Sequence, residues 1–158
     1  MIRRLIDRIL AWIVIITMAI LLIDVIWQVA SRYLMNEPSS WTDELAGYLL
    51  IWVGLLGGAY ASGQKDHLAI DLLPRKLTIK GRRYLYLIIN GLIALFAISV
   101  LIAGGSRLVS ISFRLDQVSP ALALPVGYVY LVLPLSGAFI LFYAIDDIIF
   151  NRMPELAK

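Results

Sequence analysis

Cysteine is absent from the 158 residues, so disulfides, thiolate metal sites and cysteine nucleophiles are excluded. Histidine occurs once, as His67. A metal site needs three or four ligands, and one imidazole also excludes a bis-histidine haem. No serine or threonine has a neighbouring histidine base, and neither GxSxG nor a Gly-rich phosphate loop occurs. Charge is scarce as well, at 16% of residues against roughly 25% in an average globular domain. What the chain has instead is apolar surface: 61% of its residues are hydrophobic and the mean hydropathy is +0.85. So few charges cannot cover a soluble domain of that composition. Four bilayer-spanning helices of about 20 residues would take up about half the chain, leaving no room for a soluble catalytic domain. The composition reads as a small all-α integral membrane protein, with no enzymatic activity and no cofactor.

Four long apolar runs are present, and they predict one membrane domain over residues 1–158 with helices at about 9–33, 43–62, 84–105 and 126–147. Pro120 and Pro125 break helix before the fourth. The N-terminal Met1-Ile2-Arg3-Arg4 has the charge of a signal-peptide n-region, but the apolar run after it is too long and lacks a small-x-small cleavage site. It reads as an uncleaved anchor.

The pI of about 9.3 and net charge of +3 do not indicate nucleic acid, because the basic residues sit in particular loops. One side of the membrane receives Arg3, Arg4, Arg8, Lys65, Arg75, Lys76, Lys80, Arg82, Arg83, Arg152 and Lys158. The other receives only Arg32, Arg107 and Arg114. Cytoplasmic loops carry the excess of Lys and Arg. Both termini and the loop between helices 2 and 3 are therefore expected in the cytoplasm. That loop also has an amphipathic stretch. Wound as a helix, Asp66–Leu77 puts Leu68, Ile70, Leu72, Leu73 and Leu77 on one arc, with His67, Asp71 and Arg75 on the other. Beside its basic residues it is expected to lie along anionic lipid headgroups.

Asp24 is the sharpest single residue, since an ionisable group in a spanning helix is costly. Counted from Arg8 it lies about 24 Å along the helix. Gln28 and Arg32 follow at four-residue steps, and pairing with Arg32 or a neighbouring chain is the expected state, ahead of an ion-coupling role. Asp146 and Asp147 read as the solvated end of helix 4. Helix 2 carries the packing signal: Gly54 and Gly58 form GxxxG, and Gly47 and Ala61 extend the same face. That face can receive a helix of this chain or of a partner. At the start of the helix Ser40 is the expected N-cap, with Asp43 and Glu44 favouring the helix dipole and Trp41 anchoring the interface. Arg107 and Arg114 are seven apart and share a face if helix 3 continues as far as Phe113. With Arg32, Glu37 and Asp116 they are among the charges available to a partner on the outer surface.

The run from Trp41-Thr42-Asp43-Glu44-Leu45-Ala46 through Gly57-Gly58-Ala59 to His67-Leu68-Ala69-Ile70-Asp71 resembles the small, DctQ-type membrane subunit of tripartite ATP-independent periplasmic (TRAP) transporters. Arg32, the Pro120–Pro125 stretch, Tyr128 and Pro134 also fit, so the resemblance covers nearly the whole chain. Asp43 stands where that family often has Glu, and Asp24 aligns with nothing in its pattern. The resemblance implies a scaffold role. Such a subunit fixes a large membrane subunit in the bilayer and helps dock a periplasmic solute-binding protein, while a sodium gradient usually drives organic-acid uptake. Two other classes stay open: a self-sufficient oligomeric transporter or channel built on Asp24, and an accessory subunit of a different membrane complex.

Overall fold

The computed structural model describes residues 2–34, 39–64 and 79–149. The expected interfacial segment, with His67 and Asp71, lies outside these described residues, as does Glu37. Helix α1 is Ile2–Leu34 and α2 is Ser40–Gln64. The third span begins as α3, Ile79–Phe96, continues through a π-helical stretch at Ala97–Gly104, and ends as α4, Gly105–Arg114. A short α5, Gly127–Tyr130, leads into α6, Val132–Ile149. Four helices are thus long and apolar enough to cross a membrane, and no strand occurs among the described residues.

The helices continue past the apolar runs that announce them. α1 starts seven residues before Ile9, because Arg3 and Asp7 find partners on other helices. The third span runs through Gly105 to Arg114. Glycine does not stop it there. A β-carbon at Gly105 would lie 2.7 Å from Leu133 Cβ, and one at Gly137 would lie 2.7 Å from Leu101 Cβ. Small residues let backbones approach where lipid removes the hydrophobic drive for helix association. The wider π-helical turns fall at this close crossing, with Ala97 and Leu101 buried against α6.

The four spans form a row rather than a closed bundle. α1 packs on α2, α2 on α6, and α6 on α3 and the π-helical stretch; no comparable contact joins α1 or α2 to α3 among the described residues. The order across the layer is first, second, fourth, third. The buried core sits at the α1–α2–α6 junction: Leu10, Leu56, Ala59, Val132 and Tyr143, with Ile6, Val14, Trp52 and Phe139 around it. At most 33% of any span's apolar window is buried, so most apolar surface remains for lipid or another protein.

Candidate partner-binding surfaces

One end of the layer is closed by a latch. The Arg3 guanidinium donates to Asp146 and Asp147, at 2.7 Å each, and to the Gly63 carbonyl. It also stacks 5.3 Å from the centre of the Tyr143 ring. The Tyr143 hydroxyl donates to Asp7 at 2.6 Å. These six residues tie α1, α2 and α6 together. Asp146 and Asp147 are therefore not a solvated helix end: the bridging side chains are only 9–12% exposed. The local sequence holds a hint, since an acidic pair closes the last span on the side expected to hold Arg3, but the pairing is 143 residues apart.

At the opposite end Glu44 reaches out of α2 and grips the loop that joins α4 to α5. Its Oε2 accepts from the Ser119 hydroxyl, from the Ala121 N–H at 2.9 Å and from the Leu122 N–H at 3.1 Å. The loop is otherwise closed by turn bonds, Ser119 N–H to Leu124 O and Ala123 N–H to Ser119 O, both at 2.9 Å, and by a Val118–Pro125 bridge. Ala123 has φ of 52° and Asp116 of 47°; the left-handed region costs a residue with a β-carbon about 1–2 kcal/mol. The carboxylate and the turn bonds hold the loop against that strain. The expected cap differs in detail. Ser40 is already helical, and Ser39 precedes the helix with its buried hydroxyl making no hydrogen bond among the described residues. Thr42, fully buried, donates to the Ser39 carbonyl at 2.8 Å. Trp41 and Asp43 are exposed.

Around this loop lie the other predicted charges. Arg107 and Arg114 are both exposed, and with Ser106, Ser110 and Ile111 they line one shallow concavity of about 370 Å³. Arg32 and Asp116 are exposed near the ends of α1 and α4. Phe113 packs edge-to-face on Tyr128 with ring centres 5.2 Å apart, and lies where a β-carbon at Gly127 would sit. That contact fixes the base of the loop.

Asp24 does not pair with Arg32. It is 6% exposed, and its Oδ2 has no hydrogen-bond partner among the described residues. Arg3 against Gly63, and Leu10 in one cluster with Leu56, set the antiparallel register of α1 and α2. Continued along the pair, that register places Asp24 at the level where α2 starts, beside Asp43.

The glycines of α2 divide into two sets. Gly63 is filled by the Tyr143 ring. Gly47, Gly54, Gly57 and Gly58 have nothing within 4 Å of a would-be β-carbon. Ala61 is half-buried. The GxxxG pair is therefore not used for packing among the described residues, whereas Gly105 and Gly137, which carry no motif, are.

The sequence comparisons follow the same outline. The chain matches the family described as tripartite ATP-independent periplasmic transporters, DctQ component, over residues 21–152. It is 31% identical to the sialic acid TRAP transporter small permease protein SiaQ of Vibrio cholerae serotype O1, across 99% of this chain and 88% of that protein. It is 31% identical to the C4-dicarboxylate TRAP transporter small permease protein DctQ of Rhodobacter capsulatus, across 65% of this chain and 44% of that one. A 27% match covers 68% of this chain and 17% of the isethionate TRAP transporter permease protein DctMQ of Oleidesulfovibrio alaskensis. With a family match over most of its length and a small permease matched nearly end to end, the chain belongs to the DctQ family of TRAP transporter small permease subunits.

Proposed function

We propose that this chain is the scaffold of its transporter: it holds a large membrane subunit in the bilayer and offers its loop end to a periplasmic solute-binding protein. The observation that carries the reading is the unfilled glycine face. Gly47, Gly54 and Gly58 lie open on a one-helix-thick layer, with room for a helix to approach closely. The isethionate relative, in which the match lies within a longer permease chain, supports a partner of that kind. Apolar residues elsewhere on the layer, such as Ile15, Ile23, Leu92 and Leu95, face lipid. The chain sits in the bacterial cytoplasmic membrane. The excess of Lys and Arg supports an orientation with the latch end and both termini in the cytoplasm, and the Glu44 loop in the periplasm. The names of the relatives, sialic acid and C4-dicarboxylate among them, support an organic acid as the transported solute. A sodium gradient is the coupling source.

The test is Gly54→Leu with Gly58→Leu. Recovery of the large subunit with the tagged chain should fall by about tenfold or more, the loss of roughly 1.4 kcal/mol or above. The level of the chain itself should not change, because no described side chain occupies that face. Undiminished recovery sinks the scaffold face. Purified chain alone in liposomes should accumulate no solute. Accumulation abolished by Asp24→Asn would instead establish a self-sufficient transporter.

A further inference from the structure

We infer that Glu44 is a positioning residue for the periplasmic docking surface: by holding three donors of the Ser119–Leu124 loop it fixes the shape that the solute-binding protein meets. The inference rests on the docking role proposed above and names the element that performs it.

Three observations carry it. First, one oxygen of Glu44 takes the Ser119 hydroxyl and two successive backbone N–H groups from a segment 75 to 78 residues away. Hydrogen bonds to a carboxylate are roughly twice as strong as neutral ones, so this is a strong polar link between α2 and the loop. Second, the loop needs holding. Ala123 is in the left-handed region, and without the carboxylate the Ala121 N–H loses its described acceptor. Third, the held loop displays a mixed surface. Val118, Leu124 and Tyr128 are each more than half exposed, and Arg114 and Asp116 stand beside them. Apolar anchors with a charged rim are the usual make-up of a protein-binding patch. Lipid makes no demand on backbone shape, whereas a protein partner binds more tightly to a surface already in its bound form. A loop braced this firmly fits the second occupant.

The mechanism is one of preorganisation. With Glu44 in place the partner meets one loop conformation. With the brace removed the loop relaxes from the strained turn at Ala123, and the fraction of molecules ready to bind falls. The apparent affinity falls with that fraction.

The experiment uses the complex of this chain with its large subunit in nanodiscs, and the solute-binding protein of the same transporter, identified from its gene neighbourhood. Binding is read by interferometry. Glu44→Ala should raise Kd by about tenfold, as expected for losing hydrogen bonds to a charged group. Glu44→Gln retains an acceptor oxygen without the charge and should restore part of the affinity. A nitroxide on Ala123→Cys should move faster in Glu44→Ala than in the parent. If Kd and nitroxide motion are both unchanged, the positioning role is wrong. Leu124→Asp, which leaves Glu44 intact, separates the two levels of the argument. Binding weakened by Leu124→Asp but not by Glu44→Ala overturns the positioning role alone; binding unchanged by either removes this loop from the docking surface, leaving it to lipid. If Glu44→Ala does not assemble, Ser119→Ala replaces it. That variant removes one donor, should raise Kd by about threefold, and overturns the inference if it does not.

Discussion

The ring of Tyr143 lies over Gly63 so closely that a β-carbon on residue 63 would sit 2.6 Å from the ring's Cζ. The glycine is what allows α6 to bring its tyrosine, and the acidic pair one turn later, onto the end of α2. Gly63→Ala should therefore destabilise the chain by about 1–3 kcal/mol, the usual cost of overpacking. Thermal unfolding in detergent checks it. Tyr143→Leu in the same molecule should return part of the loss by vacating the space.

Arg3 is the hub of the same end. Arg3→Ala leaves two neighbouring carboxylates without the guanidinium that they share. The pair is neither fully buried nor exposed, so a cost of about 1–3 kcal/mol is expected, between the surface and buried cases. Arg3→Lys should recover less than half. An ammonium cannot reproduce a planar fork that serves two carboxylates and a carbonyl. Melting curves of the three proteins decide it.

The unmarked glycines should prove more sensitive than the motif. Gly105→Ala and Gly137→Ala each place a methyl within 2.7 Å of a neighbouring β-carbon and should lower stability by about 1–3 kcal/mol. Gly54→Ala meets nothing and should be close to neutral in the isolated chain. Equal losses at all three positions would contradict the row of helices described above.

Topology is testable because the chain has no native cysteine. Glu37→Cys and Gln117→Cys should react with an impermeant thiol reagent in cells whose outer membrane is permeabilised. Thr78→Cys should not. Labelling at position 78 would invert the orientation.

Arg107→Glu with Arg114→Glu should slow association with the solute-binding protein and alter its salt dependence, as rim charges do, without reducing the amount of assembled membrane complex. Both residues are exposed and make no ion pair among the described residues, so the fold has no claim on them. Uptake that is unchanged across a titration of binding protein would return these arginines to lipid headgroups.

The spans were legible because apolar length is a property of a single stretch of chain. So was the shared face of Arg107 and Arg114, which follows from a spacing of seven. What local pattern does not contain is the identity of a partner far along the chain. Glu44 reads as a helix-dipole residue until Ser119, Ala121 and Leu122 are folded against it. Asp146 and Asp147 read as solvated until Arg3 arrives. Glycine misleads for a related reason: whether it marks a contact depends on what stands opposite, so Gly54 carries the motif and meets nothing while Gly137 carries none and is packed. Asp24 was conspicuous in the sequence and stays conspicuous in the fold, buried with one oxygen lacking a hydrogen-bond partner among the described residues.

The first-second-fourth-third order of the layer also bears on how the protein is made. A ribosome delivers the chain from its N-terminus. When three spans have emerged, α1 and α2 can pair, but among the described residues the third packs chiefly on α6, which has yet to follow. The last span is the one that joins the two pieces, and it brings the acidic pair that claims Arg3 from the first. Until then the earliest cation of the chain waits for nearly the latest acids. A nascent chain halted before α6 would display Arg3 without its two carboxylates and a third span without its main packing partner, two features by which incomplete synthesis is distinguishable from a finished subunit.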